Sequence, residues 1–303
     1  RNSLMTEVSL RKVHQPVLLE QALEMLQVVP GGVYMDGTFG LGGHTRELLK
    51  RSAPDGKVVA CDWDEDAIRL GLENVGRCRD RLQVIRRNFR EIDVGLKEAG
   101  LEAVDGILID IGLSSLQLEA EGRGFSFNRN EPLDMRMDRR RPVTAAQIVA
   151  DSTEEELADI FYYYGDEKQS RRIAEIIVKE RKKSKIEMTG QLAQIVGKAV
   201  PKKYHPAKIH VATKVFQALR IAVNEELANL GGILEKAPLY LRPKSRICII
   251  SFHSLEDRIV KRILSRTEKL KVVTKKPITP DDKEIKRNPR ARSSRLRVAE
   301  RLA

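Results

Sequence analysis

Three aspartates, Asp36, Asp62 and Asp110, each end or closely follow an apolar run of the kind that forms a buried strand. The first of them leads straight into a glycine-rich turn: Val33 to His44 reads VYMDGTFGLGGH, and a helix-like pattern follows from Thr45 to Lys50. A strand feeding such a turn lets backbone N–H groups approach a ligand without side-chain interference. Three ligand classes use that geometry, and the residue types separate them. A phosphate-binding loop needs GxxxxGK[ST]; Gly37 and Gly42 have the spacing, but Gly43 and His44 stand where Lys and Ser/Thr belong. The dinucleotide fingerprint GxGxxG fits Gly40 and Gly42 but meets Thr45 at its third glycine. What remains, Asp36-x-Thr38-x-Gly40-x-Gly42, is the pattern of S-adenosylmethionine (SAM) sites, whose ligand carries an amino acid instead of a pyrophosphate. A tight strand–helix turn with no ligand is the alternative reading.

The elements around these residues place them on one crevice. Residues 16–26 read as an amphipathic helix with Leu18, Leu19, Ala22, Leu23 and Leu26 on one face, stopped by Pro30-Gly31-Gly32. Strand-like runs at 57–62, 82–85 and 106–110 alternate with helical patterns at 65–77 and 92–99. Continuous apolar strands alternating with helices imply a parallel sheet covered on both faces, with ligands bound beyond the carboxyl ends of the strands. Asp62 follows the glycine turn by about twenty residues, the spacing at which an acid reaches a nucleoside ribose. Asp64 is the better helix cap of the two. The next strong strand, residues 246–252, arrives only after about 135 residues, where one crossover would take about 30. The pattern predicts an inserted all-α domain over 116–206. Its helices fall at 154–164, 169–183 and 189–199, with Thr153 and Thr189 as caps, and a helix over 211–230 returns to the sheet. Residues 1–115 and 207–303 then form the discontinuous SAM-binding domain.

Composition narrows the partners. With 41% apolar residues in 303, the chain is expected to be a soluble globular protein, and no run approaches the roughly 20 apolar residues of a membrane helix. Its start shows no signal-peptide pattern of charged residues followed by an apolar core. Cys61, Cys78 and Cys248 lack CxxC spacing, so free thiols in a reducing compartment are expected, with no metal. The formal net charge of +12 favours a polyanionic partner. Bases gather at 179–185, 202–208 and 269–301. A charge run is ordinarily a solvated face, but tracts flanking a cofactor crevice on top of that net charge point to a phosphate-backbone surface.

Four segments go beyond generic fold reasoning: DIGLSSLQL at 110–118; RGFSF at 123–127 with PLDMRMD at 132–138; FQALRIAVN at 216–224; and SFHSLEDRIVK at 251–261. With HQPVLL at 14–19 and NPRARS at 288–293, they run in order along nearly the whole chain. They resemble the MraW/RsmH family of small-subunit ribosomal RNA cytosine-N4 methyltransferases. The resemblance implies a class I SAM-dependent methyltransferase fold, Rossmann-like with a mainly parallel sheet, carrying an inserted helical substrate-recognition domain. It implies SAM as cofactor, bound by Gly42, Gly43, His44, Asp62, Phe89, Asp110 and Gln117. Gly42 and Gly43 would allow close backbone approach to the methionine part, Asp62 would accept from the ribose hydroxyls, and Phe89 would pack against adenine. The implied partner is small-subunit ribosomal RNA in a 30S-type particle, in the cytoplasm or an organellar matrix, with no membrane and with a homodimer compatible. The chain departs from the family at Arg242-Pro243-Lys244-Ser245, where a Pro-Gly-Gly turn is usual, and at Leu116 and Val211, where proline is common.

The sulfonium methyl is already activated, so the protein must align the nucleophile and exclude water. The N4 lone pair of cytosine is delocalised into the ring, and an acceptor on its N–H would localise it. Many amino-methyltransferases place [DNS]PP[YF] after the fourth strand; here Asp110-Ile111-Gly112-Leu113 stands there, so Asp110 is the expected acceptor. His253 is the second catalytic candidate, against a plain role beside a helix start at Ser254, whose spacing to Asp257 is that of a capping box. Phe125 and Phe127 could stack on a flipped-out base or pack beneath the insertion. A DNA amino-methyltransferase is disfavoured by the missing PP[YF]. A non-catalytic ribosome-assembly factor with a relic SAM pocket is the reading from another class.

Overall fold

The computed structural model describes residues 16–303. His14 and Gln15, part of the first resembling segment, lie outside the described residues. The chain divides into two compact units, one of residues 1–115 with 227–303, the other of residues 116–226.

The first unit is built on a seven-stranded sheet. Its elements are α1 (Leu19–Leu26), β1 (Val33–Asp36), α2 (Gly43–Arg51), β2 (Lys57–Asp62), α3 (Glu65–Val75), β3 (Leu82–Arg86), α4 (Ile92–Glu98) and β4 (Val104–Asp110). After the insertion come β5 (Leu241–Ser251), α12 (Ser254–Arg266), β6 (Leu270–Val272), α13 (Asp282–Arg287) and β7 (Arg295–Arg301). The strand order is β3-β2-β1-β4-β5-β7-β6. The first five strands pair in parallel, and β7 runs antiparallel between β5 and β6. This is the mainly parallel sheet that the alternation of strands and helices anticipates, and it agrees with the class I SAM-dependent methyltransferase fold that the resemblance implies.

Both faces of the sheet are buried, which is why its strands read as unbroken apolar runs. Met35, Val59, Ile107 and Ile247 project to one side, against α4, α12 and the helix α11 (Glu226–Tyr240). Their neighbours Tyr34, Val58, Leu108 and Cys248 project to the other, against α1 and α2. The period of two along each strand therefore fills two cores rather than one. Cys61, Cys78 and Cys248 are all free, the first and last buried. The strand before the sheet's antiparallel edge begins earlier than the pattern at 246–252 indicates, and its pairing with β4 is irregular between Val104 and Gly106. Lys244 lies in that stretch with φ of 67°, in the left-handed region. The family's glycine therefore has a conformational reason here, and this chain meets it with a lysine.

The second unit is helical: α5 (Ser115–Glu119) at its start, then α6 (Ala145–Asp151), α7 (Glu154–Gly165), α8 (Ser170–Arg181), α9 (Thr189–Ala199) and α10 (Thr213–Asn224). Leu157, Phe161, Ile173, Ile177, Leu192, Val196, Val215 and Leu219 are fully buried, on the amphipathic stripes that the helical spacing marks out. Thr153 caps α7 through a box with Glu156. Thr189 does not cap α9: it lies inside the helix, its hydroxyl donating to the Arg129 carbonyl at 2.8 Å and accepting the Glu131 N–H at 3.1 Å. The helix expected over 211–230 is two helices, because Glu225 takes φ of 50° and ends the first. The unit boundary accordingly falls at 226–227, twenty residues beyond the position expected from sequence.

The loop carrying PLDMRMD is held from within this unit. Asn224, fully buried, accepts from Met137 N–H at 2.8 Å and donates to the carbonyls of Met135 and Arg220 at 2.8 and 2.9 Å. Asp134 grips Arg136 through two hydrogen bonds of 2.8 and 2.9 Å. Asp138 grips Arg140 in the same way. These acids order the loop, as their i, i+2 spacing to arginine suggests.

Candidate cofactor site

Asp36 ends β1 and is 1% exposed. Its Oδ1 accepts from the Thr38 N–H at 3.0 Å and, more weakly, from the Thr38 hydroxyl at 3.5 Å. Its Oδ2 accepts from the Thr45 hydroxyl at 2.7 Å. Thr38 Oγ1 in turn accepts the backbone N–H of Asp110 at 2.7 Å. One buried carboxylate thus ties together the turn after β1, the first turn of α2 and the end of β4. Sequence reasoning put Asp36 in the motif but missed Thr38 and Thr45 as its partners. The Asp-x-Thr spacing was the available signal, since a carboxylate readily accepts from the backbone two residues on.

Asp62, at the end of the neighbouring strand, holds the same turn from the other side. Its Oδ2 accepts from Gly40 N–H at 2.8 Å and its Oδ1 from Asp64 N–H at 2.9 Å. Burial pushes its carboxyl up to about 7, against the pull of the Asp64, Gly40 and Trp63 N–H groups. A carboxylate offers about four acceptor positions, so with the Gly40, Asp64 and Trp63 N–H groups on it about one remains for a ligand hydroxyl. Asp64 caps α3, accepting from the N–H groups of Asp66 and Ala67.

The glycines also have a packing reason. Gly42 has φ of 75°, and a side chain there would come within 2.9 Å of the Gly71 carbonyl and of Val75. A side chain on Gly43 would meet Pro16 at 2.5 Å. Both positions are therefore filled from behind by protein, and their glycines serve the turn's shape and its packing on α3 and on the chain before α1. Gly40, with φ of 49°, has only the Thr38 carbonyl within 4 Å of a built side chain. The helix α2 that follows has Gly42 at its cap position and no side-chain cap. Its first N–H groups, on Gly43, His44 and Thr45, have no acceptor among the described residues. Such an end attracts a carboxylate.

His44, 6% exposed, is fixed by Nε2 lying 3.1 Å from the Val17 carbonyl, which can only accept, so Nε2 carries a proton. Its Nδ1 lies 3.9 Å from Asp110 Oδ2. Asp110 accepts the Gly112 N–H on Oδ1 at 3.0 Å, while Oδ2 accepts no hydrogen bond among the described residues. Burial raises the Asp110 carboxyl above the usual carboxylate range, with Asp36 and Glu256 adding to the rise and His44 and the Gly112 N–H opposing it. Phe89 opens the short 3₁₀ turn Phe89–Glu91 after β3, packed against the first core, and Asn88 caps that turn. The structure therefore brings Gly42, Gly43, His44, Asp62, Phe89 and Asp110 to one end of one sheet. Gln117 is buried on α5, in the second unit.

His253 is the cap of α12. Its Nδ1 accepts the Glu256 N–H at 3.4 Å, and the Glu256 carboxylate accepts the N–H groups of Phe252 and His253. The Nε2 lies 2.9 Å from Glu256 Oε1 without forming a hydrogen bond to it. The capping box expected from Ser254 begins one residue earlier, and its imidazole is committed to it. Asp257, expected to complete the Ser254 box, instead binds Arg297 at 2.6 and 3.1 Å and Arg295 at 3.3 Å. That part of the C-terminal basic tract is structural.

The donor set fits SAM group by group. An uncapped helix end suits the methionine carboxylate, the remaining acceptor position of Asp62 suits a ribose hydroxyl, and the Phe89 ring suits a purine face. Residues 11–302 match the model of the MraW methylase family. A protein of Desulfotalea psychrophila named ribosomal RNA small subunit methyltransferase H is 58% identical over 291 residues, covering 96% of this chain and 99% of that one. Proteins of the same name from Nostoc punctiforme and Symbiobacterium thermophilum are 48% and 44% identical, the alignments covering 100% and 95% of this chain and 99% and 96% of theirs. Sheet order, site geometry and end-to-end similarity agree, and the chain belongs to the MraW methylase family.

Proposed function

We propose that this protein transfers the methyl group of SAM to the exocyclic N4 of a cytidine in small-subunit ribosomal RNA. The observation that carries the chemistry is Asp110: a carboxylate of raised basicity, one oxygen without a hydrogen bond, set 3.9 Å from His44 at the cofactor end of the sheet. The choice of base and RNA rests on the relatives, whose names specify the small-subunit ribosomal RNA, and on the family's cytosine-N4 specificity.

Bound SAM supplies an electrophilic methyl group. The protein's residues do the rest. The uncapped end of α2 and Asp62 orient the ligand, and Phe89 packs against its base. Asp110 Oδ2 accepts from the N4–H of the target, which localises the amine lone pair for attack and takes up positive charge as it develops. Gln117, seven residues beyond Asp110, would contact the ligand near its methionine end. His253 keeps α12 capped and is left out of proton transfer. The inserted unit recognises the RNA, and the substrate is the assembled 30S-type particle, met by the protein as a monomer or a homodimer in the cytoplasm.

The test is incubation with unmodified small subunits and labelled SAM, followed by mapping of the modified nucleoside. Label on cytidine N4 is the expected outcome. Tight SAM binding with no label transferred would instead make the protein an assembly factor. Asp110→Asn separates the two roles of that residue: methyl transfer is expected to fall by two to three orders of magnitude, roughly the contribution of one positioned acceptor. Unchanged turnover would remove Asp110 from the chemistry.

A further inference from the structure

The helical unit carries a surface that methyl transfer itself does not explain. From Met188 to Asn224 the chain contains no acidic residue. Two of the bases in that stretch are used internally: Lys214 donates to the Asp166 carbonyl, and Arg220 forms a two-point pair with Glu226. Lys202, Lys203 and Lys208 are exposed. Lysines alone would be an ordinary solvated face, but here rings are interleaved with them.

Tyr204 is 52% exposed, with the Lys203 ammonium 4.9 Å from its ring centroid. The turn that presents it is fixed. Tyr204 N–H donates to the Pro201 carbonyl at 2.9 Å, and the His205 ring lies 2.9 Å from the Val200 carbonyl. At the far end of the segment the exposed His210 ring lies 4.6 Å from Phe127, which meets the buried Phe216 edge-on at 4.9 Å. His210 Nδ1 accepts the Ala212 N–H, which locks the ring. Phe125, by contrast, is 8% exposed beneath Arg123 and has no free face to offer. Pre-ordered rings beside unpaired cations are what a flexible strand of nucleotides requires, since each base has a π-face and each link a phosphate. A duplex hides those faces.

We infer that residues 202–210, with Phe127 behind them, form a stacking surface for unpaired nucleotides of RNA, in which Tyr204 and His210 take base faces and the lysines take phosphates. The inference rests on the reading that the substrate is RNA, and it adds that this surface selects single-stranded over paired segments.

Fluorescence anisotropy with the whole protein, using labelled single-stranded and hairpin-duplex RNAs of equal length, tests it. Tyr204→Ala and His210→Ala are each expected to weaken single-strand binding about tenfold, the lower part of the range for one base–aromatic stack, with duplex binding unchanged. The double variant Lys202→Gln with Lys203→Gln should lower the slope of log affinity against log salt by about 1.4, for two phosphate contacts on a single strand. Tyr204 is exposed, so Tyr204→Ala should keep the wild-type melting temperature and SAM affinity; His210→Ala gives up the Ala212 N–H and the Phe127 contact, so its melting temperature is followed beside binding. Equal affinity for the two RNAs, or ring variants that bind single strands like the wild type, would overturn the inference. A reduced salt slope without any ring effect overturns it as well, leaving phosphate contact alone. Failure of the methyl-transfer reading shows separately, as absence of N4-methylated cytidine whatever the RNA affinity.

Discussion

Thr45→Val probes the buried carboxylate that organises the cofactor turn. Thr45 is fully buried, and its hydroxyl gives Asp36 Oδ2 its 2.7 Å hydrogen bond. Valine keeps the shape, so little cavity is created and the change isolates the polar contact. A hydrogen bond to a charged group contributes about 1.5–3 kcal/mol, and its removal also leaves one oxygen of a buried carboxylate unmet. Asp36 keeps the Thr38 N–H at 3.0 Å on its other oxygen, which holds the loss to about 2–3 kcal/mol. For a unit of this size that is a fall of about 5–10 °C in melting temperature. SAM affinity should fall with it, because the loosened turn carries both the Gly40 N–H held by Asp62 and the open end of α2. Urea unfolding and calorimetric SAM binding read the two effects. A double-mutant cycle with Asp36→Asn sharpens the reading. An asparagine amide can donate to the Thr45 hydroxyl, so the second substitution should cost less in that background and the two effects should fail to add by about 1–2 kcal/mol. A Thr45→Val protein within about 0.5 kcal/mol of wild type, or strict additivity, would refute Asp36 as the hub.

Three further perturbations follow from particular residues. Lys244→Gly should stabilise the protein by about 0.5–1 kcal/mol, since relief of left-handed backbone outweighs the added freedom of the unfolded chain; urea unfolding reads it, and destabilisation would mean that the lysine side chain makes a compensating contact. If ribose hydroxyls bind the ionised form of Asp62, SAM affinity should be flat above about pH 8 and fall as pH drops below about 7, because protonation of its carboxyl, raised by burial to about 7, competes with them. Asp62→Asn should flatten that profile, and an unchanged pH dependence would remove Asp62 as its cause. Asn224→Ala should cost about 2–3 kcal/mol by stranding the buried Met137 N–H and the Met135 carbonyl, with faster proteolysis between Arg136 and Arg141 as the readout.

The five parallel strands and the long helices were legible because each rests on a local period, apolar runs for strands covered on both faces and stripes of 3.6 for the helices of the insertion, whereas β6 and β7 lie inside the basic stretch 269–301 and were not. The acids Asp62 and Asp110 were legible for the same reason, since a strand end fixes where the next side chain stands. What escaped was set by contacts distant in sequence. Thr45 reads as one more small residue in a helix until Asp36 is beside it. Thr189 has the composition of a cap but is drawn into α9 by Arg129 and Glu131, some sixty residues earlier. Glu225 interrupts a helical stripe that has no glycine or proline to mark the break. The glycines at 42 and 43 also have a packing reason that the motif does not show, since α3 and Pro16 fill the space that side chains would need.

On the reading of Asp110 as the acceptor, its neighbours should act on the reaction through its carboxyl. Burial raises its carboxyl, Asp36 and Glu256 push the same way, and His44 counters them. If Asp110 is the acceptor for N4–H, its protonated form would offer a donor instead, and methyl transfer should lose rate on the acid side as Asp110 takes up its proton. The imidazole 3.9 Å away holds that acid limb down. His44→Ala removes the opposing charge, so the limb of kcat at saturating SAM should move to higher pH, while Asp110→Asn should abolish the limb together with most of the rate. Glu256→Gln removes a like charge and should move the limb the other way, although α12 loses part of its cap and stability must be followed in parallel. A profile that stays put in His44→Ala would mean that another group sets the limb. Opposite shifts from the histidine and glutamate variants would tie it to the one carboxylate on which both act.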